Sequence, residues 1–227
     1  MKYGEFLEMA DKFTGKKNLT DRIPWFVSLA KINIQRRHDF AFTWRQWETQ
    51  MALDVGVGVN LPSDFKRMYG DHAVRLRLSS GYIPLESTTY ERVKRREIAT
   101  TYVTYNGDNV AVDSTSQNSN DVAPVRYYVF PRSNGQFNLH LVPEQVGAYV
   151  LFEYYGWLPE YRDTEEEDFL LQRGHDVLLW ETLKVANTYL FDEERIPINN
   201  AAFEQAFSDF VALDSRNQSS HAPIDVD

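Results

Sequence analysis

The chain has 227 residues and a formal net charge of −9, with a hydrophobic fraction of 43% and an aromatic fraction of 14%. That is enough apolar material for one large domain or two small ones, and it excludes global disorder. The absence of cysteine excludes disulfides, thiolate metal sites and a cysteine nucleophile, and the acidic balance argues against tight wrapping of a nucleic-acid backbone, which needs clustered Lys and Arg.

No stretch approaches the roughly 18–20 apolar residues that span a bilayer, so no membrane association is expected. Residues 1–17 interleave Glu5, Glu8 and Asp11 with lysines, unlike a secretory signal. Within residues 3–14, Phe6, Leu7, Ala10 and Phe13 recur at three-to-four spacing and predict a short amphipathic helix. Gly15 is expected to close it, because glycine tolerates a left-handed cap. Thr20 or Asp21 is the expected cap of the next helix, with Pro24 in its first turn, where a missing N–H costs nothing. Ile23, Phe26, Leu29, Ala30 and Ile34 form its apolar stripe as far as about Arg37.

From Trp44 the period shifts to two. Trp47, Thr49, Met51, Leu53, Val55 and Val57 alternate as a strand requires, and Pro62 ends it. Val74, Leu76 and Leu78 alternate with Arg75 and Arg77 in a second, half-exposed strand. Segment 87–98 opens on a Ser/Thr cap and reads as a short surface helix. Asn106-Gly107 and Asn134-Gly135 each lie between strand patterns and suit hairpin turns that need positive φ. Between these hairpins, the polar stretch 113–124 reads as a loop or linker. An apolar, aromatic strand follows at 148–155.

The end is helical again. Thr164 is the expected cap, with the acids of 163–168 in the first turn, and Leu178, Leu179, Leu183, Ala186, Tyr189 and Leu190 recur at helical spacing across roughly 172–191. After Pro197, Asn199 or Asn200 caps a last helix with Phe203, Ala206, Phe207, Phe210 and Leu213 on one face. Neither set of helices is long enough to bury its stripe alone. The expected class is therefore α+β: a helical bundle from residues 1–40 and 160–214, an antiparallel β-sheet or β-barrel domain inserted at 41–159, and a flexible C-terminal tail at 215–227.

The residues offer little chemistry. His38, His72, His140, His175 and His221 contain no HExxH and no pair at metal-ligand spacing on one helix face. The acids of 163–168 are contiguous, unlike the alternating ligands of a calcium loop. Gly56 and Gly58 lie in a strand pattern without a following helix, and neither a Walker motif nor a GxSxG turn is present. No catalytic residue, metal or cofactor is expected. Arg92, Lys94, Arg95 and Arg96 form the densest basic cluster, a candidate contact patch for an acidic neighbour more than for nucleic acid. The abundance of Trp, Tyr and Phe fits an oligomer.

The order of elements resembles the head-to-tail adaptor proteins of tailed bacteriophages. The resemblance rests on the capped helix before Arg37, then Trp44 and Trp47, and Leu61-Pro62-Ser63-Asp64-Phe65. It continues through Glu153-Tyr154-Tyr155, Pro159, Asp163-Thr164, the Leu178-Leu179 helix and the last helix with Phe203 and Phe207. It covers roughly 20–214, is densest over 147–214, and leaves 87–146 unmatched. The resemblance implies a non-catalytic virion protein of the neck, made in the host cytoplasm. Such a protein forms a ring of usually twelve copies beneath the portal protein, docks tail or nozzle proteins, and extends a channel through which DNA passes without sequence-specific binding. An acidic lumen would repel DNA phosphates, and the net charge has that sign. Pro223, Ile224 and Val226 are the expected anchors by which the tail docks on the portal or a neighbouring subunit. The alternative is a tail-associated carbohydrate-binding or hydrolytic domain, for which a pair of carboxylates or a triad in a cleft is expected.

Overall fold

The computed structural model describes residues 1–15, 19–52, 58–70, 72–79, 81–95, 100–105, 108–113, 125–143, 145 and 147–220. In chain order, α1 (Tyr3–Thr14) and α2 (Ile23–Arg37) precede the strands β1 (Trp44–Gln50), β2 (Val59–Asn60), β3 (Phe65–Met68), β4 (Val74–Leu78), β5 (Gly81–Pro84) and β6 (Glu86–Ser87). Then come α3 (Tyr90–Arg95), β7 (Thr100–Tyr105), β8 (Asp108–Asp113), β9 (Arg126–Pro131), β10 (Phe137–Val142) and β11 (Tyr149–Gly156). The chain ends in α4 (Phe169–Arg173), α5 (His175–Tyr189) and α6 (Arg195–Ser220). Two compact units result: Met1–Thr43 with Leu158–Asp227, which is helical, and Trp44–Trp157, which contains the strands.

In the helical unit, α1 buries Phe6 and Ala10 and ends at Gly15, whose φ of 65° lets its N–H reach Asp11 O at 3.3 Å. α2 buries Ile23, Phe26, Val27, Ala30 and Ile34. Its expected side-chain cap is absent. A 3-10 turn over Thr20–Arg22 leads into it, and the Thr20 hydroxyl donates to Asp11 Oδ1 at 3.0 Å instead.

The helix expected across roughly 172–191 is α5, and this region holds two helices, because the short α4 is set apart from it at Gly174. A side chain there would bring Cβ within 2.9 Å of Phe210 Cζ and 3.0 Å of Leu170 Cδ1, so the close approach of α6 requires glycine. Asp168, not Thr164, caps the first of them, accepting Leu171 N–H at 2.8 Å. α6 starts before Pro197, which occupies its first turn, where proline costs no hydrogen bond. It continues to Ser220, so residues 215–220 are helical rather than part of a tail. Leu213, expected on its buried face, is exposed, and Asp214 is buried in its stead. The core joins Phe6, Ile23, Phe40, Leu170, Leu178 and Phe203.

In the sheet unit, the first sheet runs β1-β11-β4-β5, with β3 pairing the far end of β11. The second runs β2-β10-β9-β6, and β7 and β8 form a third. Among the described residues all pairs are antiparallel except the two-residue parallel pair of β6 with β9, a departure from the purely antiparallel expectation. Ser87, expected to open a helix, pairs with Tyr127 in that strand, and α3 starts at Tyr90. In β4 the expected alternation appears, with Val74 and Leu76 buried and Arg77 exposed. β1 is exposed along nearly its whole length. A turn forms at Asn134-Gly135, but only Gly135 takes positive φ, at 79°, so it is not the turn with two left-handed residues that the pair suits. Asn106-Gly107 and residues 114–124 lie outside the described residues. The core of this unit joins Phe65, Leu76, Leu85, Leu139, Leu141 and Phe152.

Candidate assembly surfaces and the buried tie of the helical unit

The most constrained polar cluster of the helical unit centres on Lys31, a cation on the apolar face of α2 that is only 3% exposed. Its ammonium donates to Pro159 O at 2.8 Å and to Asp168 Oδ2 at 3.0 Å, and lies 3.3 Å from the centroid of the Tyr161 ring. The Tyr161 hydroxyl donates to the same Asp168 oxygen at 2.7 Å, and its ring stacks on Tyr3 at 4.5 Å. One turn along α2, Gln35 accepts Leu158 N–H at 2.6 Å. Burial pulls Lys31 below its ordinary pKa despite the opposing Asp168 charge. Burial, then Asp168, pushes the Tyr161 phenol far above its own. A lysine and a tyrosine shifted in this way beside a cleft of about 340 Å³ invite a catalytic reading. The contacts point elsewhere: the ammonium is committed to Asp168, a backbone carbonyl and a ring face, and the cluster ties segment 158–168 to α1 and α2.

A second tie sits on α6. Asp214 accepts Ala41 N–H at 3.0 and 3.1 Å through its two oxygens and lies 3.3 Å from His38 Nε2. Lys31 and Asp214 share a signal readable in the sequence, a charge at a position that helical periodicity assigns to the apolar stripe.

Exposed apolar groups mark the helical unit's surface. Trp25 is 51% exposed and meets Tyr189 edge-on at 6.1 Å. Phe191, just past α5, is 87% exposed and holds φ at 54°, a left-handed conformation that bulky side chains avoid. Ile198 is 67% exposed.

On the sheet unit, Arg77 pairs with Glu48 and Arg75 with Glu153, both at 3.0 Å, across the outer face of the first sheet. Arg45 pairs with Asp64 at 2.9 Å, and the Tyr154 hydroxyl donates to Asp64 at 3.2 Å. Burial, reinforced by Asp64, pushes Tyr154 up to about 12. Trp44, Arg45, Trp47 and Tyr154 line an open groove of about 670 Å³. No carboxylate lines it among the described residues, so the acid pair used in glycoside hydrolysis is not assembled there.

Of the basic cluster expected near position 92, Arg92 and Lys94 are exposed on α3, Arg95 is its last residue, and Arg96 lies outside the described residues. Tyr90 of α3 packs on Phe130 of the second sheet at 5.0 Å. Arg75 and Arg77 are strand residues of the first sheet, and each is ion-paired. Pro223, Ile224 and Val226 also lie outside the described residues. His140 stacks on Tyr128 at 4.9 Å, and among the described residues no three His, Asp or Glu side chains converge as a metal site. Charge is divided unevenly: the helical unit carries 21 acidic and 13 basic side chains, the sheet unit 12 and 11.

The polar clusters of the helical unit are thus tied internally, while Trp25, Tyr189 and Phe191 stand exposed. The family model described as SU10 adaptor protein matches residues 1–227. The chain belongs to that family of phage head-to-tail adaptor proteins. No curated protein matches it. Among the described residues no helix is long and apolar enough to cross a membrane.

Proposed function

We propose that the chain is a non-catalytic structural subunit that forms a ring beneath the portal, extends the DNA channel and docks tail or nozzle proteins. The observation that carries this reading is Phe191. A large aromatic group held in a strained conformation and given to solvent makes sense as an anchor for a neighbouring protein surface. Trp25, Tyr189 and Ile198 extend the exposed apolar character of that unit, as interface cores require.

In the same reading, the helical unit is a bundle into which the sheet unit is inserted. Its excess of acids suits a channel wall that repels phosphates, so DNA passes without being held. Arg92, Lys94, Arg95 and Arg96 form a contact patch for an acidic neighbour. The segment from residue 221, with Pro223, Ile224 and Val226, docks on the portal or on the next copy. Twelve copies is the number that the resemblance implies.

The test is particle assembly without the chain. Heads that package DNA, fail to retain it and carry no tails are expected. Tailed, infectious particles made in its absence would overturn the proposal.

A further inference from the structure

The first sheet of the sheet unit ends at β1, seven residues without Pro, Gly or Lys, paired to β11 in one unbroken register. Short length, lysine, proline or a bulge normally protects an edge strand from adding another chain; β1 has none of these, and its two charges, Arg45 and Glu48, are each ion-paired. Its open side can be read from the hydrogen bonds. Met51 N–H donates to Ala148 O at 2.8 Å in continuation of the pair Gln50↔Tyr149. Antiparallel bonding alternates, so Arg45, Trp47 and Thr49 bond to β11. Trp44, Gln46, Glu48 and Gln50 therefore turn their N–H and C=O groups to the other side, where no strand pairs among the described residues.

The same unit contains the complementary element. Among the described residues, β7 and β8 pair only with each other, from Thr100↔Asp113 to Tyr105↔Asp108, and make a sheet of two strands. A two-stranded hairpin standing alone is marginal in water and gains stability from further strands. Its six-residue strands are one residue shorter than β1 and can pair along nearly all of it. The charges match as well. The strands of the first sheet carry five basic side chains against Glu48 and Glu153, a positive excess within an acidic chain. The hairpin strands carry only Asp108 and Asp113.

We propose that the β7–β8 hairpin of one copy adds to the β1 edge of the next, so that neighbouring copies share a continuous sheet. The contact joins two different surfaces, and such a head-to-tail contact generates a ring when its rotation closes. The inference deepens the ring reading given above and rests on it.

The chain has no cysteine, so introduced thiols report cleanly. Full-length Gln46→Cys is mixed with full-length Asn109→Cys, Ala111→Cys or Asp113→Cys, alone and with portal rings, and oxidised. A second variant, Gln46→Pro, removes an outward N–H and leaves the bonds to β11 intact. The expected results are a disulfide between unlike chains at one or more of these positions, and self-association at least tenfold weaker for Gln46→Pro with an unchanged circular dichroism spectrum. A Gln46→Cys/Asn109→Cys chain that closes only on itself would overturn the inference, because the hairpin would then belong to its own sheet. Rings that form normally with Gln46→Pro and yield no mixed disulfide would overturn it and leave the ring reading standing. Absence of any assembly of the unmodified chain would sink both.

Discussion

Lys31 and Asp168 form an ion pair of 3.0 Å in which one carboxylate oxygen also accepts the Tyr161 hydroxyl and the other caps α4. The two residues are not equivalent. Replacing Asp168 with Ala leaves a buried ammonium without its counter-charge and removes the cap, and about 3–5 kcal/mol of stability is expected to go with it. Lys31→Met leaves Asp168 with two donors, so a smaller loss is expected. Equilibrium denaturation of both variants checks the order, which the opposite ranking would refute.

Tyr154 supplies a pH dependence. Its folded pKa is raised from 10.0 to about 12, so the native state holds the phenol proton more tightly than the unfolded chain. This contribution is fully present below pH 10 and is lost as pH rises through 12. Denaturation between pH 9 and 12 is expected to show a steeper alkaline decline for the unmodified protein than for Tyr154→Phe, which keeps the ring. Equal slopes would contradict the environment assigned to Tyr154.

Gly174→Ala places a methyl group 2.9 Å from Phe210 Cζ. A loss of about 1–3 kcal/mol is expected from this overpacking. Combining it with Phe210→Leu should recover part of the loss relative to the sum of the single changes, as a double-mutant cycle reads directly.

Phe191→Gly separates strain from function. Relief of the left-handed conformation is expected to stabilise the isolated subunit by about 1 kcal/mol, while removal of the aromatic anchor weakens assembly. Thermal unfolding and self-association measured on the same preparation should move in opposite directions. Movement of both in the same direction would remove the case for Phe191 as an anchor.

The sequence makes α2 and β4 legible because the apolar period of each, near four in α2 and two in β4, matches the buried face that it forms. Its misreadings follow from contacts beyond the local window. Leu178 through Leu190 predicts the body of α5 correctly, but only the approach of Phe210 reveals why Gly174 starts that helix at His175 and sets α4 apart from it. The stripe Phe203, Phe207, Phe210 points to Leu213, whereas the partner that needs burying is Asp214, because Ala41 N–H awaits it. Ser87 looks like a helix cap until Tyr127, forty residues away, pairs with it. The assembly surfaces are less legible still. Arg92 and Lys94 stand out in the sequence as a cluster, but the strain at Phe191 and the open side of β1 arise only once the chain has folded.

The central claim is that copies of this chain assemble on the portal. Mass measured in solution for the full-length protein, alone and mixed with portal rings, tests it most directly. A multi-copy ring, or a complex that adds a fixed number of subunits to each portal ring, is the predicted result. A protein that stays monomeric alone and unbound beside the portal would contradict it.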